Sequence, residues 1–167
     1  MSSSEASRPG WKLTALACAV SLGLLAGCQV RPLYGSLNGQ HHSVSVSPAD
    51  SRAEQTVRNE LVLGFGGERA NADYRLDLKV TSSVGGILPG GIDNEFSAGR
   101  ATVTAIYALK SAATGETVAS GSRFADAQLD LPSQHFAQER AKLEAVDRAA
   151  HSVAALVMAD IAAALDR

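Results

Sequence analysis

Residues 74–80 read Tyr-Arg-Leu-Asp-Leu-Lys-Val. In an extended chain successive side chains point to opposite faces, so Tyr74, Leu76, Leu78 and Val80 share one side and Arg75, Asp77 and Lys79 the other. This is a strand with one apolar and one polar face, and the apolar face needs a covering layer. Downstream, residues 84–96 (VGGILPGGIDNEF) carry four glycines and a proline and read as a loop. Ala98 to Lys110 predicts a second strand, with Ala101, Val103, Ala105, Tyr107 and Leu109 on one face. Ala113-Thr114-Gly115-Glu116 is a hairpin turn, and Thr117 to Ala127 returns as a third, small and polar strand with Phe124 near its end.

Helices are expected at both ends of this strand run. After Pro132, with Ser133 as cap, Phe136, Leu143, Ala150, Val157 and Ala164 recur every seven residues, with Val146, Val153 and Ile161 beside them. Glu139, Lys142, Glu144, Arg148 and Asp160 lie mostly off that stripe, and alanine fills much of the remainder, favouring helix. Upstream of Tyr74, Ser43 to Ser47 alternates as a short strand. Asp50 or Ser51 can then cap a helix, with Glu54 at capping-box spacing from Ser51. Ala53, Val57, Leu61 and Phe65 form its apolar stripe; Arg52, Glu54, Arg58 and Asn59 take the outer face, and Gly64, Gly66 and Gly67 end it.

The order is therefore β-α-β-β-β-α. It predicts an α+β two-layer sandwich: two helices packed on one face of a four-stranded mixed sheet. The first β-α-β unit crosses right-handed and pairs its strands in parallel, and the hairpins are antiparallel. The uncovered face is expected to hold Arg75, Asp77, Lys79 and Arg123.

Composition narrows the function classes. A hydrophobic share of 46% excludes wholesale disorder, and a net charge of −2 gives no basic bias toward nucleic acid. The two cysteines, Cys18 and Cys28, both precede the folded part, so no disulfide framework or cysteine zinc site is expected there. His41 and His42 sit side by side in a polar segment, and His135 and His151 are too far apart on one helix to chelate together. No Gly-x-Ser-x-Gly elbow and no phosphate loop occurs, so neither catalysis nor a cofactor or metal is expected. Asp73, Asp77 and Asp126 are read as surface ion-pair partners for Arg75, Lys79 and Arg123.

The N-terminus carries the sharpest signal. Arg8 and Lys12 precede an uncharged run from Leu13 to Gly27. At about 15 residues it is short for a membrane span, which needs ~20, and it fits a signal-peptide core. Leu25-Ala26-Gly27-Cys28 resembles the bacterial lipobox. The resemblance implies that Cys28 becomes the N-terminus, with an S-diacylglyceryl group and an N-acyl chain; at ~0.8 kcal/mol per buried CH₂, such chains make a durable anchor in lipid. Gln29 resembles the class sorted to the outer membrane. The expected organisation is a signal peptide over 1–27, a lipidated tether over 28–42 and a single α+β domain over 43–167.

Cys28-Gln29-Val30-Arg31-Pro32-Leu33-Tyr34-Gly35 resembles the start of the LPS-assembly lipoprotein family, LptE, in its alphaproteobacterial form, with Val30 where the family has Phe. Val57-Arg58-Asn59-Glu60-Leu61, Tyr74-Arg75-Leu76 and Asp147-Arg148-Ala149-Ala150 resemble its first-helix, strand and last-helix motifs. The resemblance implies an outer-membrane lipoprotein on the periplasmic side. It would sit largely within the lumen of an LptD-type β-barrel, plug and help assemble it, and contact lipopolysaccharide on its way to the surface. Arg75, Lys79 and Arg123 are the candidate lipopolysaccharide contacts. Pro132-Ser133-Gln134-His135, before the last helix, lacks the Lys or Arg that some members use there. The alternative reading is an envelope-complex adaptor lipoprotein unconnected to lipopolysaccharide export.

Overall fold

The computed structural model describes residues 43–90 and 95–166. The signal segment 1–27, the tether 28–42 and Cys28 lie outside the described residues. The element order is β1 (Val44–Val46), α1 (Arg52–Gly64), β2 (Tyr74–Gly90), β3 (Glu95–Ser111), β4 (Thr117–Asp130) and α2 (His135–Leu165). The strands form one sheet in the order β1-β2-β3-β4. β1 pairs with β2 in parallel, and the two hairpin pairings are antiparallel. The expected α+β sandwich is the observed one.

β1 is three residues long, and serines hold both ends. The Ser43 hydroxyl donates to Asp73 Oδ2 at 2.9 Å and accepts from the Asp73 N–H at 3.0 Å, while the Ser47 hydroxyl accepts from the Leu78 N–H at 3.0 Å. Ser51 caps α1, its side chain accepting from the Glu54 N–H at 3.2 Å. Ala53, Val57, Leu61 and Phe65 are all buried as expected. Glu54 is not on the outer face: it is 2% exposed, and its Oε2 has no hydrogen-bond partner among the described residues. Only half of the capping box forms, because the Glu54 carboxylate turns inward rather than back to the cap.

The core lies between the helices and one sheet face. Leu76, Leu78 and Val80 of β2 meet Leu109, Tyr107 and Ala105 of β3, and Val153, Val157 and Ile161 of α2 close over them. Two expectations for α2 change. Ser133 does not cap it; Gln134 occupies the cap position, without a side-chain bond. The seven-residue stripe holds only in the second half: Ala150 and Val157 are buried, whereas Phe136 is 79% exposed and Leu143 42%. The buried line runs instead through Ala145, Ala149, Val153, Val157 and Ile161, at uniform steps of four, which drift off a strict seven-residue repeat.

The stretch 84–96 is not simply a loop. β2 continues to Gly90 and β3 begins at Glu95, with register shifts between Gly86 and Leu88 and between Leu88 and Pro89. Glycine disfavours strands, yet antiparallel pairing satisfies its backbone, and bulges absorb the irregularity. At Gly99 a side chain would be tight: an added Cβ would sit 3.1 Å from the Gly85 carbonyl oxygen and 3.2 and 3.3 Å from the Leu129 and Leu131 side chains.

Candidate functional site

The sheet face turned away from the helices is the first candidate. Register puts Arg75 beside Lys110, Asp77 beside Ala108, and Lys79 beside Ile106. Every charge on it that the sequence singled out has a partner. Arg75 Nε lies 3.1 Å from Asp77 Oδ1, and Lys110 Nζ lies 2.8 Å from Asp77 Oδ2. Lys79 Nζ lies 3.1 Å from Asp50 Oδ2. Asp126 accepts from the Thr102 hydroxyl at 2.6 Å and stands 3.9 Å from Arg100 Nη1. The Lys110 hydrogen bond, followed by Arg75, holds the Asp77 carboxyl below its ordinary range, and the Asp50 hydrogen bond raises Lys79. The face is thus a lattice of compensated charge. At its centre Ile106 and Phe124 are 58% and 65% exposed.

Arg123 is not on this face. It pairs with Ala105, whose side chain is in the core, so its own side chain points to the helix layer. There its Nε and Nη2 donate to the two carboxylate oxygens of Asp160, both at 2.7 Å, and the Tyr107 hydroxyl donates to Asp160 Oδ2 at 2.6 Å. This bidentate pair ties α2 to β4 and β3. Burial first, then the bond to Asp160, pushes the Tyr107 phenol up to about 12, and the Arg123 bond lowers Asp160. Gly121 makes the trio possible. It lies opposite Tyr107, and a Cβ there would stand 2.8 Å from the Tyr107 oxygen.

The expected pairing of Asp77 with Arg75 is therefore present; Lys79 and Arg123 find partners off the strands, in Asp50 and Asp160, and Asp126 pairs with Thr102 directly opposite it and with Arg100. The structure brings Arg75 and Lys79 to one face and separates Arg123 from them. Sequence reasoning missed Ile106, Phe124 and the Tyr107–Asp160–Arg123 trio. The available signal was the alternation of β4. Ala119, Gly121, Ala125 and Ala127 share a parity with Arg123, while Phe124 shares one with Ser120, Ser122, Asp126 and Gln128. The helix side takes the small residues because α2 lies directly on it, which leaves the ring facing out.

A second feature lies under the first turns of α2, where an open groove of about 540 Å³ is lined by Ile87, Gly99, Leu129, Pro132, Ala141 and Arg148. The adjoining hollow is lined by Val84, Leu131, Ser133, His135, Gln138 and Lys142.

No protein-family model and no curated protein sequence matches the chain. Solved structures do. A candidate lipoprotein of Caulobacter crescentus CB15 superposes with a TM-score of 0.64 at 18% identity, covering 80% of this chain and 98% of that one. A minor lipoprotein of Acinetobacter baumannii gives 0.56 at 13% identity, covering 74% and 92%. Rare lipoprotein B of Shewanella oneidensis gives 0.52 at 14% identity, covering 75% and 98%. The fold is therefore one that bacterial lipoproteins share.

Proposed function

We propose that this chain is a lipid-anchored outer-membrane lipoprotein of the LptE type, a non-enzymatic subunit that plugs and helps assemble an LptD-type β-barrel for lipopolysaccharide export. The observation that carries the reading is the sequence Leu25-Ala26-Gly27-Cys28, followed at once by Arg31-Pro32-Leu33-Tyr34 and then by a fold shared with lipoproteins. Cys28 would hold the acyl chains in the periplasmic leaflet, and residues 28–42 would let the domain reach the barrel.

The open sheet face supports this reading physically. Barrel interiors are polar and wet. A flat face of paired charges around a small apolar centre can lie against such a wall without leaving buried charge uncompensated. The same pairing bears on lipopolysaccharide. Arg75 and Lys79 would have to exchange Asp77 and Asp50 for phosphate, so contact there is a competition between anions rather than capture by free cations. Arg123, held by Asp160 on the other face, would belong to a separate contact.

Solubilised membranes should yield the chain in a stable complex with a large β-barrel protein; recovery as a lone lipoprotein would reject the plug. Cys28→Ser should leave the precursor unprocessed and without lipid. Photo-crosslinkers at positions 75 and 79 should capture lipopolysaccharide if that face meets it, whereas barrel crosslinks alone would confine the face to protein contact.

A further inference from the structure

β1 covers only the beginning of β2. The Tyr74 N–H donates to the Ser43 carbonyl at 3.0 Å, the Ser47 N–H to the Leu76 carbonyl at 2.9 Å, and the Leu78 N–H to the Ser47 hydroxyl at 3.0 Å. Even-numbered residues of β2 therefore turn their backbone groups away from β3. Pro48 follows Ser47 and the chain leaves for α1, so the N–H and C=O groups of Val80, Ser82 and Val84 face this edge without a backbone partner among the described residues. Natural sheets guard such edges with charge, proline or bulges. Here no charge falls between Val80 and Gly90, and the register shifts and Pro89 come only beyond Gly86.

The same residues lack a covering layer. Ser82 and Val84 lie opposite Val103 and Ala101, which are fully buried on the helix side. Ser82 is nevertheless exposed, and Val84 is 38% exposed. Beside them, under the first turns of α2, lies a hollow of about 450 Å³ whose wall includes Leu131, Gln138 and Lys142. The Lys142 ammonium is already paired, 2.8 Å from Glu139. An unpaired edge and an uncovered face thus coincide from Val80 to Gly86, a stretch of ~20 Å. One added strand completes both: its backbone pairs with β2, and its inward side chains extend the core over Ser82 and Val84.

We propose, resting on the barrel-subunit reading above, that an extended segment of the barrel chain adds to the sheet beside Val80–Gly86. Its chemistry follows from the site: no charge along the paired stretch, an apolar side chain at every second residue toward the hollow, and small or polar ones level with Thr81 and Ser83. It is a loop or terminal segment folded into the lumen, because the strands of a closed wall have no free edge. Residues 28–42 of this chain are too short for the task. They join at Ser43, beside Tyr74 and ~20 Å along β2 from Val80, and span at most ~50 Å. Covering that distance and then the edge would use about 40 Å and leave no length to carry Cys28 to the leaflet. A second copy does not fit a lumen that holds one domain.

Proline at an outward position of the full-length protein in membranes tests this. Ser82→Pro deletes an N–H that faces the edge and leaves the ladder to β3 intact, a placement that sheets tolerate. Ser82→Ala controls for the side chain. After detergent extraction Ser82→Pro should unfold at the parent's temperature and bring down about tenfold less barrel protein, and Ser82→Ala as much as the parent. A photo-crosslinker at position 82 of the otherwise unchanged chain should capture the barrel protein outside its membrane strands, and this decides the matter if Ser82→Pro does not fold. Undiminished recovery by a folded Ser82→Pro, or capture by membrane strands alone, overturns the added strand and leaves the barrel subunit standing. A parent chain that brings down no barrel protein overturns both.

Discussion

From Leu76 to Val80 every second residue of β2 is buried, Leu76 completely; from Thr81 to Ile87 the same strand is exposed on both faces. Its partner β3 shows no such break, since Ala101 and Val103 are as buried as Leu109. The difference is what lies above. α1 covers β1 and the near half of β2, while the first half of α2 crosses β3 and β4 and leaves the far half of β2 open. Alternation in a strand sequence records a second layer, and where that layer is missing the strand persists on pairing alone.

This contrast can be broken by mutation. The largest effect is expected for Leu76→Ala, which empties a fully buried site and should lower the free energy of unfolding by about 2–5 kcal/mol in denaturant titrations. Ile87→Ala in the far half should stay within about 0.5 kcal/mol. Equal losses at the two sites would mean that the far half is packed as tightly as the near half.

Gly121→Val comes next. Its Cβ would intrude on Tyr107, whose ring lies in the covered half, and a cost of about 1–3 kcal/mol is expected. Gly85→Ala, where an added Cβ meets nothing within 4 Å, should be close to neutral.

Asp160→Asn should cost about 1 kcal/mol at neutral pH by weakening its bonds to Tyr107 and Arg123. The pH dependence has a definite sign. Asp160 lies below 3.8 in the folded protein, so its contribution is complete well above pH 3.8 and fades as pH falls through the lower folded value. The Asn variant should show a flatter loss of stability in acid. Tyr107 moves the other way. Its folded pKa is raised from 10.0 to about 12, so its contribution is complete below pH 10 and is lost as pH climbs toward 12. Phenolate absorbance should show one late-titrating tyrosine, absent in Tyr107→Phe.

The smallest effects belong to the open face. Arg75→Ala and Lys79→Ala break exposed ion pairs and should shift stability by no more than about 0.5 kcal/mol in thermal unfolding. A larger loss would show that the charge lattice supports the fold rather than only presenting a surface.

Most of the fold was legible because its signals are periodic. Tyr74–Val80 shows a period of two, Ala53-Val57-Leu61-Phe65 steps by four, and Ser51 stands where a cap belongs. The errors cluster where local chemistry and tertiary packing disagree. The glycines of 84–96 speak for a loop, yet pairing with β3 extends the strand to Gly90. Phe136 and Leu143 continue a heptad that the sheet does not follow. Glu54 has the spacing of a cap residue and the burial of a core one. The candidate site was legible only in part: Arg75 and Lys79 fall on the predicted face, but Arg123 does not, because β4 carries its small residues toward the helix.

What the sequence determined by itself is the set of elements, their order and the parity of β2 and β3, since these follow from periodicities of two and 3.6 carried by consecutive residues. Only the tertiary structure decided which β4 residues face out, how far β2 runs past its covering layer, and that Asp160 joins Tyr107 and Arg123 from residues far apart in the chain. Those outcomes depend on how closely α2 approaches the sheet, a distance set by the summed volumes of side chains from several elements and encoded in no single segment.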